Sequence, residues 1–247
     1  MRRLLVLVLL ASALGGCSSS SAGERRVTVL AAASLTEAFT ELATAFEREH
    51  EDVDVVLSFG GSSDLAAQVV EGAPADVFAA ADERTMRTVT EAGATAAEPV
   101  VFATNTLQVV TPSDDPAGVR SLRDLGRPDV KVVLCAPQVP CGAATARLLA
   151  AGDVDVAPVS EERSVTDVLG KVASGEADAG VVYVTDVLAA GESVRGVEVA
   201  EASSVVNRYP IAPLDGADDR ALAQQFAAFV TSATGRRVLT AAGFGAP

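Results

Sequence analysis

The sequence predicts an α/β protein of two doubly wound lobes, joined by two extended crossovers, with a ligand cleft between them. Three observations lead there. Residues 27–92 alternate short β-branched runs with helical patterns three times over. Residues 130–184 repeat that alternation after one long extended run at 100–110. The chain then returns through a second extended run at 205–213 and ends in two helical patterns. Alternating strands and helices build parallel sheets covered by helices.

Each element has its own signal. Val27–Leu30 is β-branched, and the next helix spans 36–46, with Ala38, Phe39, Leu42, Ala45 and Phe46 at helical spacing. Val53–Phe59 reads as a strand and 63–70 as a short helix, stopped by Gly72 with Pro74 beyond. Ala75–Ala80 is a third strand, and the helix over 82–92 ends at Gly93. After the 100–110 crossover come a short helix at 121–125, a strand at 130–134, helices at 141–151 and 164–173, and a strand at 179–184. Residues 197–200 and 205–213 are extended, and helices over 221–231 and 234–242 close the chain. The first lobe is expected from 24–103 plus 206–247 and the second from 104–205.

The first 23 residues read as processing signal and tether. Arg2 and Arg3 precede an apolar run at 4–14 that is too short to span a bilayer. The string LGGC at 14–17 resembles the lipobox of bacterial lipoproteins, which implies cleavage before Cys17, acylation of that thiol and a flexible SSSSAG tether. Localisation is then extracytoplasmic, lipid-anchored to the outer face of the cell membrane or periplasmic. Cys135 and Cys141 remain, an even pair for an oxidising compartment. They form either a short disulfide loop or two separate thiols.

Charge excludes some partners. The chain carries a net charge of −14, and its only charges before Cys17 are two arginines. A nucleic-acid or anionic-membrane surface needs a basic patch, which this composition does not supply. Catalytic strings are missing too: there is no GxSxG, no GxxxxGK[ST], and the one histidine, His50, sits in a charged run with no ligand-spaced Cys or His. No enzyme activity, cofactor or directly coordinated metal is expected. Asp76 and Asp82 are read as holding turns of the first lobe.

The distinctive signal is four Ser/Gly/Ala-rich turns, each ahead of a helix: AAASL at 31–35, FGGSSD at 59–64, VPCGA at 139–143 and ERSVT at 162–166. A helix N-terminus offers unpaired N–H groups and the positive end of a dipole. Four such ends in one cleft would form a cage of neutral donors for a small oxyanion. Ser34 and Ser62 have ordinary N-capping as their plainer role, with Ser63 and Asp64 as alternative caps. Asp64 is expected to cap its helix from outside the cleft. Tyr183 ends an apolar strand and has a plainer role as a strand-end aromatic.

The strings AAASLTEAF at 31–39, SFGGSSDL at 58–65, EGAPADVFAAAD at 71–82, VPCG at 139–142, AGVVYVTD at 179–186, YPIA at 209–212 and GRRVLTAAGF at 235–244 resemble the substrate-binding proteins of bacterial molybdate ABC importers over residues 27–244. The resemblance implies a type II periplasmic-binding-protein fold and a tetrahedral oxyanion held by two Ser, one Tyr and backbone N–H groups. Carried over by position, these fall on Ser34, Ser62, the backbone of Cys141 and Val165, and Tyr183. It further implies molybdate as the ligand, its molybdenum bound only through its oxygens, an importer permease as partner, and a monomer. Tungstate or sulfate binding by the same kind of protein, or an exported redox protein using Cys135 and Cys141, are the alternatives.

Overall fold

The computed structural model describes residues 25–247; the leader, the tether and Cys17 lie outside the described residues. The first half of the chain runs β1 (Arg25–Ala32), α1 (Thr36–Glu49), β2 (Val53–Gly60), α2 (Ser62–Val70), β3 (Val77–Ala79), α3 (Glu83–Glu91) and β4 (Val100–Pro112). The second half runs β5 (Val132–Cys135), α4 (Pro140–Ala151), β6 (Ser160–Glu162), α5 (Val165–Ala173), β7 (Ala179–Tyr183), α6 (Val184–Ala190), β8 (Val194–Val197), β9 (Val206–Pro213), α7 (Arg220–Val230) and α8 (Ala233–Ala241).

One path of paired strands connects both lobes, in the order β2-β1-β3-β9-β4-β7-β5-β6, with β8 beside β4. Strands β2, β1 and β3 pair in parallel, as do β6, β5 and β7. The crossovers β4 and β9 are therefore not free linkers. They pair antiparallel with each other from Val100 to Thr106, and β4 then pairs antiparallel with β7 through Leu107–Val110. This joint makes the sheet mixed where the lobes meet.

The first lobe is buried on both faces of its sheet. On one face Val27, Val29 and Ala31 lie under α1, α7 and α8, where Phe46 meets Phe226 and Phe229 edge-on, each at 5.3 Å between ring centroids. On the other, Leu30, Phe78 and Ala212 pack against Leu65, Val69, Met86 and Val89 of α2 and α3. The second lobe has its own core, in which Val133, Val181 and Val182 meet Leu148, Val168 and Val172. Short β-branched strands buried on two sides read as near-continuous apolar runs, which is why the sequence reveals them.

Asp76 and Asp82 hold turns, as the sequence suggests. Buried Asp76 accepts from Thr28 N at 2.6 Å and Asp218 N at 2.9 Å, tying β1 to the approach of α7. Asp82 caps α3 by accepting from Thr85 N at 2.7 Å. His50 is less solvated than its charged neighbours imply: its ring stacks on Phe46 at 4.1 Å and its Nδ1 lies 2.9 Å from Phe46 O. Three elements escape the sequence reading. β6 is three polar residues, β8 begins three residues before the extended run that was read there, and α6 begins at Val184 where a strand ends. α6 forms despite β-branched Val184 and Thr185 because Asp186 accepts from Tyr183 N at 2.8 Å and nucleates its first turn.

Candidate ligand-binding cleft

The N-terminal ends of four helical segments converge between the lobes. They are the 3₁₀ turn Ala33–Leu35 that leads into α1, and the first turns of α2, α4 and α5. Together they surround a cavity of about 20 Å³. A cavity this small suits one compact solute and not a sugar or peptide. Ser34, Ser62, Cys141, Val165 and Tyr183 all line it. The lining contains no Asp or Glu.

Each of the five residues arrives by a different local device. Ser34 makes no cap bond; its Oγ lies 3.0 Å from Tyr209 Oη, a hydroxyl pair in which either oxygen donates. Ser62 is the first residue of α2, is buried, and accepts from Ala81 N at 3.1 Å. Cys141 follows Pro140, whose missing N–H costs nothing at a helix start. The N–H of Cys141 has no partner within its helix, nor does that of Val165, the first residue of α5. Ser164 caps α5 by accepting from Asp167 N at 3.2 Å, which leaves the Val165 N–H at the cavity. Tyr183 ends β7 fully buried, and burial pushes its phenol well above its ordinary pKa, so it stays a protonated donor.

The VPCGA turn is braced from behind. Cys135 and Cys141 are disulfide-bonded with Cα atoms 5.7 Å apart, joining the end of β5 to the first turn of α4. Gly142 lies against the carbonyls of Cys135 and Ala136, where a Cβ has no room.

Asp64 corrects the sequence reading. It does not cap α2, whose N-cap is Gly61 with no side-chain bond. Instead its carboxylate pairs with Arg163 across the cleft, Oδ2 accepting from Arg163 Nε at 2.8 Å. The same seam carries Ser63 Oγ donating to Gln138 O at 3.2 Å and Arg84 donating to that oxygen at 2.7 Å. Gly61 lies against the Arg163 carbonyl. The lobes are thus closed on each other.

Sequence reasoning missed Arg163, which lines the cavity, and the layer behind it formed by Arg147, Asn207 and Tyr209. Tyr209 stands in the YPIA string, and Arg163 in the ERSVT turn, so both sat inside quoted motifs. Asn207 and Arg147 carried no signal. A neighbouring groove of about 890 Å³ shares Ala33 and Ser34 with the cavity, but Glu37, Glu41 and Asp186 line it. That acidic lining does not suit an anion. Burial raises Asp186 to about 7 despite the N–H it accepts. Among the described residues, no group of three His, Cys, Asp or Glu could hold a metal ion.

A family model for bacterial extracellular solute-binding proteins matches residues 27–245. The chain belongs to that family. This solute-binding protein is 47% identical over 252 residues to the molybdate-binding protein ModA of Mycobacterium tuberculosis, covering 98% of this chain and 97% of the relative. It is 34% identical to ModA of Escherichia coli, covering 79% of each chain. Its fold matches that of the Azotobacter vinelandii periplasmic molybdate-binding protein with a TM-score of 0.79, at 22% identity, over 90% of this chain and 99% of that one. The sulfate-binding protein SubI of Mycobacterium tuberculosis matches with the same TM-score at 19% identity, over 89% and 86%. These likenesses show the type II periplasmic-binding-protein fold, with its two lobes and intervening cleft.

Proposed function

We propose that this solute-binding protein captures molybdate outside the cytoplasm and delivers it to an ABC importer, without chemistry of its own. The observation that carries the reading is the cavity lining: N–H and O–H groups from four helical segments and one strand end, with no carboxylate. Molybdate, tungstate and sulfate are fully deprotonated at neutral pH, so they accept hydrogen bonds and donate none. Hydrogen phosphate keeps a proton and needs an acceptor. The ModA relatives favour molybdate over sulfate among the anions that fit the donor set.

Ser34, Ser62 and Tyr183 give hydroxyls and Cys141 and Val165 give backbone N–H groups. Arg163 is kept from acting as a bare charge by Asp64. Hinge closure between lobes of 24–103 plus 206–247 and of 104–205 dehydrates the anion and presents the closed protein, a monomer, to the permease. Acylation of Cys17 tethers it to the membrane; no helix of the described residues is long and apolar enough to cross one.

Thermal unfolding of residues 24–247, after exhaustive dialysis, tests the reading. Ligand at about 100 Kd adds about 2.7 kcal/mol to native stability. Molybdate and tungstate should each raise Tm strongly, with less from sulfate and least from phosphate. No shift with any of the four overturns the oxyanion site. A shift with phosphate equal to that with molybdate overturns the donor-only argument.

A further inference from the structure

Behind the cavity sits a buried amide that is hydrogen-bonded to the Tyr183 phenol. Asn207, on β9, is 2% exposed. Its Nδ2 donates to Tyr183 Oη at 2.8 Å and to Ala81 O at 3.0 Å, which uses both of its protons. Its Oδ1 accepts from Arg147 of α4 at 3.1 Å. A guanidinium only donates, so Arg147 settles which end of the amide is oxygen and which is nitrogen.

The consequence lies in the proton of Tyr183. An amide NH₂ cannot accept, so the phenol oxygen must accept from it. The single phenol proton then has to leave in another direction, and Tyr183 lines the cavity. Ser62 is treated likewise. The N–H of Ala81, the residue whose carbonyl takes Asn207's other proton, occupies Ser62 Oγ at 3.1 Å. Both hydroxyls thus accept from behind, keep their own protons to donate elsewhere, and line the cavity.

We propose that Asn207, held by Arg147, is the positioning residue that makes Tyr183 an obligate donor and so sets the preference for fully deprotonated oxyanions over hydrogen phosphate. This rests on the oxyanion reading above. An acceptor at position 207 would take the phenol proton and turn the oxygen's lone pairs to the cavity. Asn207→Asp makes that change with almost the same shape, and Arg147 remains to pair its charge.

The experiment is calorimetric titration of the whole mature chain with molybdate and with phosphate. It covers wild type, Asn207→Asp, Arg147→Met, Tyr183→Phe and the two doubles on Tyr183→Phe. Asn207→Asp should weaken molybdate roughly ten- to a hundredfold, the worth of one hydrogen bond to a charged acceptor, and shift relative affinity toward phosphate. Arg147→Met frees the amide to turn and should weaken molybdate several-fold. In the Tyr183→Phe background neither change should alter affinity by more than about twofold, because coupled residues lose additivity. Equal weakening of both anions by Asn207→Asp, or undiminished losses in the Tyr183→Phe background, overturns the proposal. Should Asn207→Asp fail to fold, the Arg147→Met pair decides by the same criterion. A wild type that binds molybdate without this coupling sinks only the positioning role. A wild type that binds no oxyanion sinks the oxyanion reading and this inference with it.

Discussion

Gly61→Ala should separate folding from closure. Gly61 has φ −60° and ψ 125°, an ordinary conformation for alanine. Within its own lobe nothing opposes a methyl group there; the atoms it would strike are the carbonyl oxygen and carbon of Arg163, across the cleft. Alanine restricts the unfolded chain, which stabilises, and caps a helix less well than glycine, which destabilises. The unliganded protein should therefore keep its stability within about 1 kcal/mol. Closure is another matter. Backbone cannot yield as a flexible side chain can, so the lobes must stay apart by about an ångström. A hydrogen bond of about 2.9 Å stretched that far passes beyond 3.5 Å and is effectively lost. In the proposed function the second lobe donates through Cys141 N, Val165 N and Tyr183 Oη, all from residues that line the cavity. Losing one or two charge-assisted bonds costs about 2–4 kcal/mol, or roughly 30- to 900-fold in Kd. Calorimetric titration with molybdate gives Kd, and calorimetric unfolding gives the unliganded Tm. Unchanged affinity would show that ligand is held without the closure seen here. A large fall in the unliganded Tm would show that Gly61 serves the fold and not the cleft.

Two further expectations follow from the same geometry. Cys135→Ala with Cys141→Ala opens a seven-residue loop, which by chain entropy should cost about 2.4 kcal/mol and lower Tm by roughly 5–10 °C; denaturant unfolding that shows no loss would mean the brace adds nothing to the fold. Asp186 has a folded pKa of about 7 against an ordinary 3.8, so the fold holds an extra proton between those values and loses stability as pH rises through them, by roughly 4 kcal/mol in all. In Asp186→Asn that loss should vanish, so the variant's Tm relative to wild type should climb from pH 4 to pH 8; parallel profiles would show that Asp186 does not titrate in that window.

What the sequence disclosed and what it hid divide along physical lines. The buried strands were legible because Val27–Leu30 is β-branched and mostly apolar and Ala179–Tyr183 is apolar throughout, and α1 because Phe39, Leu42 and Phe46 fall on one stripe. The helix-leading turns were legible through Ser, Gly and Pro, whose backbone preferences are local. β6 was not, since Ser160–Glu162 is polar and is a strand only because β5 offers it an edge. α6 was obscured by β-branched Val184 and Thr185, whose local preference the Asp186 bond overrides. The five expected site residues, all of which line the cavity, came from resemblance more than from chemistry: nothing about the side chains of Cys141 or Val165 marks a backbone donor. Asp64 was misassigned because a carboxylate one turn into a helix normally serves that helix. Its partner Arg163 is 99 residues away and reaches it only across the closed cleft. Asn207 and Arg147 were invisible for the same reason: their roles exist only where the lobes meet.

The charge of the chain leaves one further consequence, and its sign is unusual. A site that attracts a dianion through lysines and arginines binds more slowly as salt screens the attraction. Here the net charge is −14, and the cavity donors are neutral apart from Arg163, which Asp64 neutralises. Dipoles of N–H groups act only at contact, whereas the repulsion of the acidic surface extends over a Debye length of about 30 Å at 0.01 M salt and about 8 Å at 0.15 M. Raising sodium chloride across that range should therefore speed molybdate association, roughly twofold or more, while dissociation from the closed cleft hardly changes. The chain supplies its own reporter, since it has no Trp and its two Tyr are Tyr183, at the cavity, and Tyr209, 3.0 Å from Ser34 Oγ. Stopped-flow tyrosine fluorescence then reads the cleft and little else. An association rate that falls with salt would mean that Arg163 is released from Asp64 in the open protein and guides the anion in. The seam between Asp64 and Arg163 would then shut after the ligand arrives, and its carboxylate would act to cancel a steering charge once that charge had served.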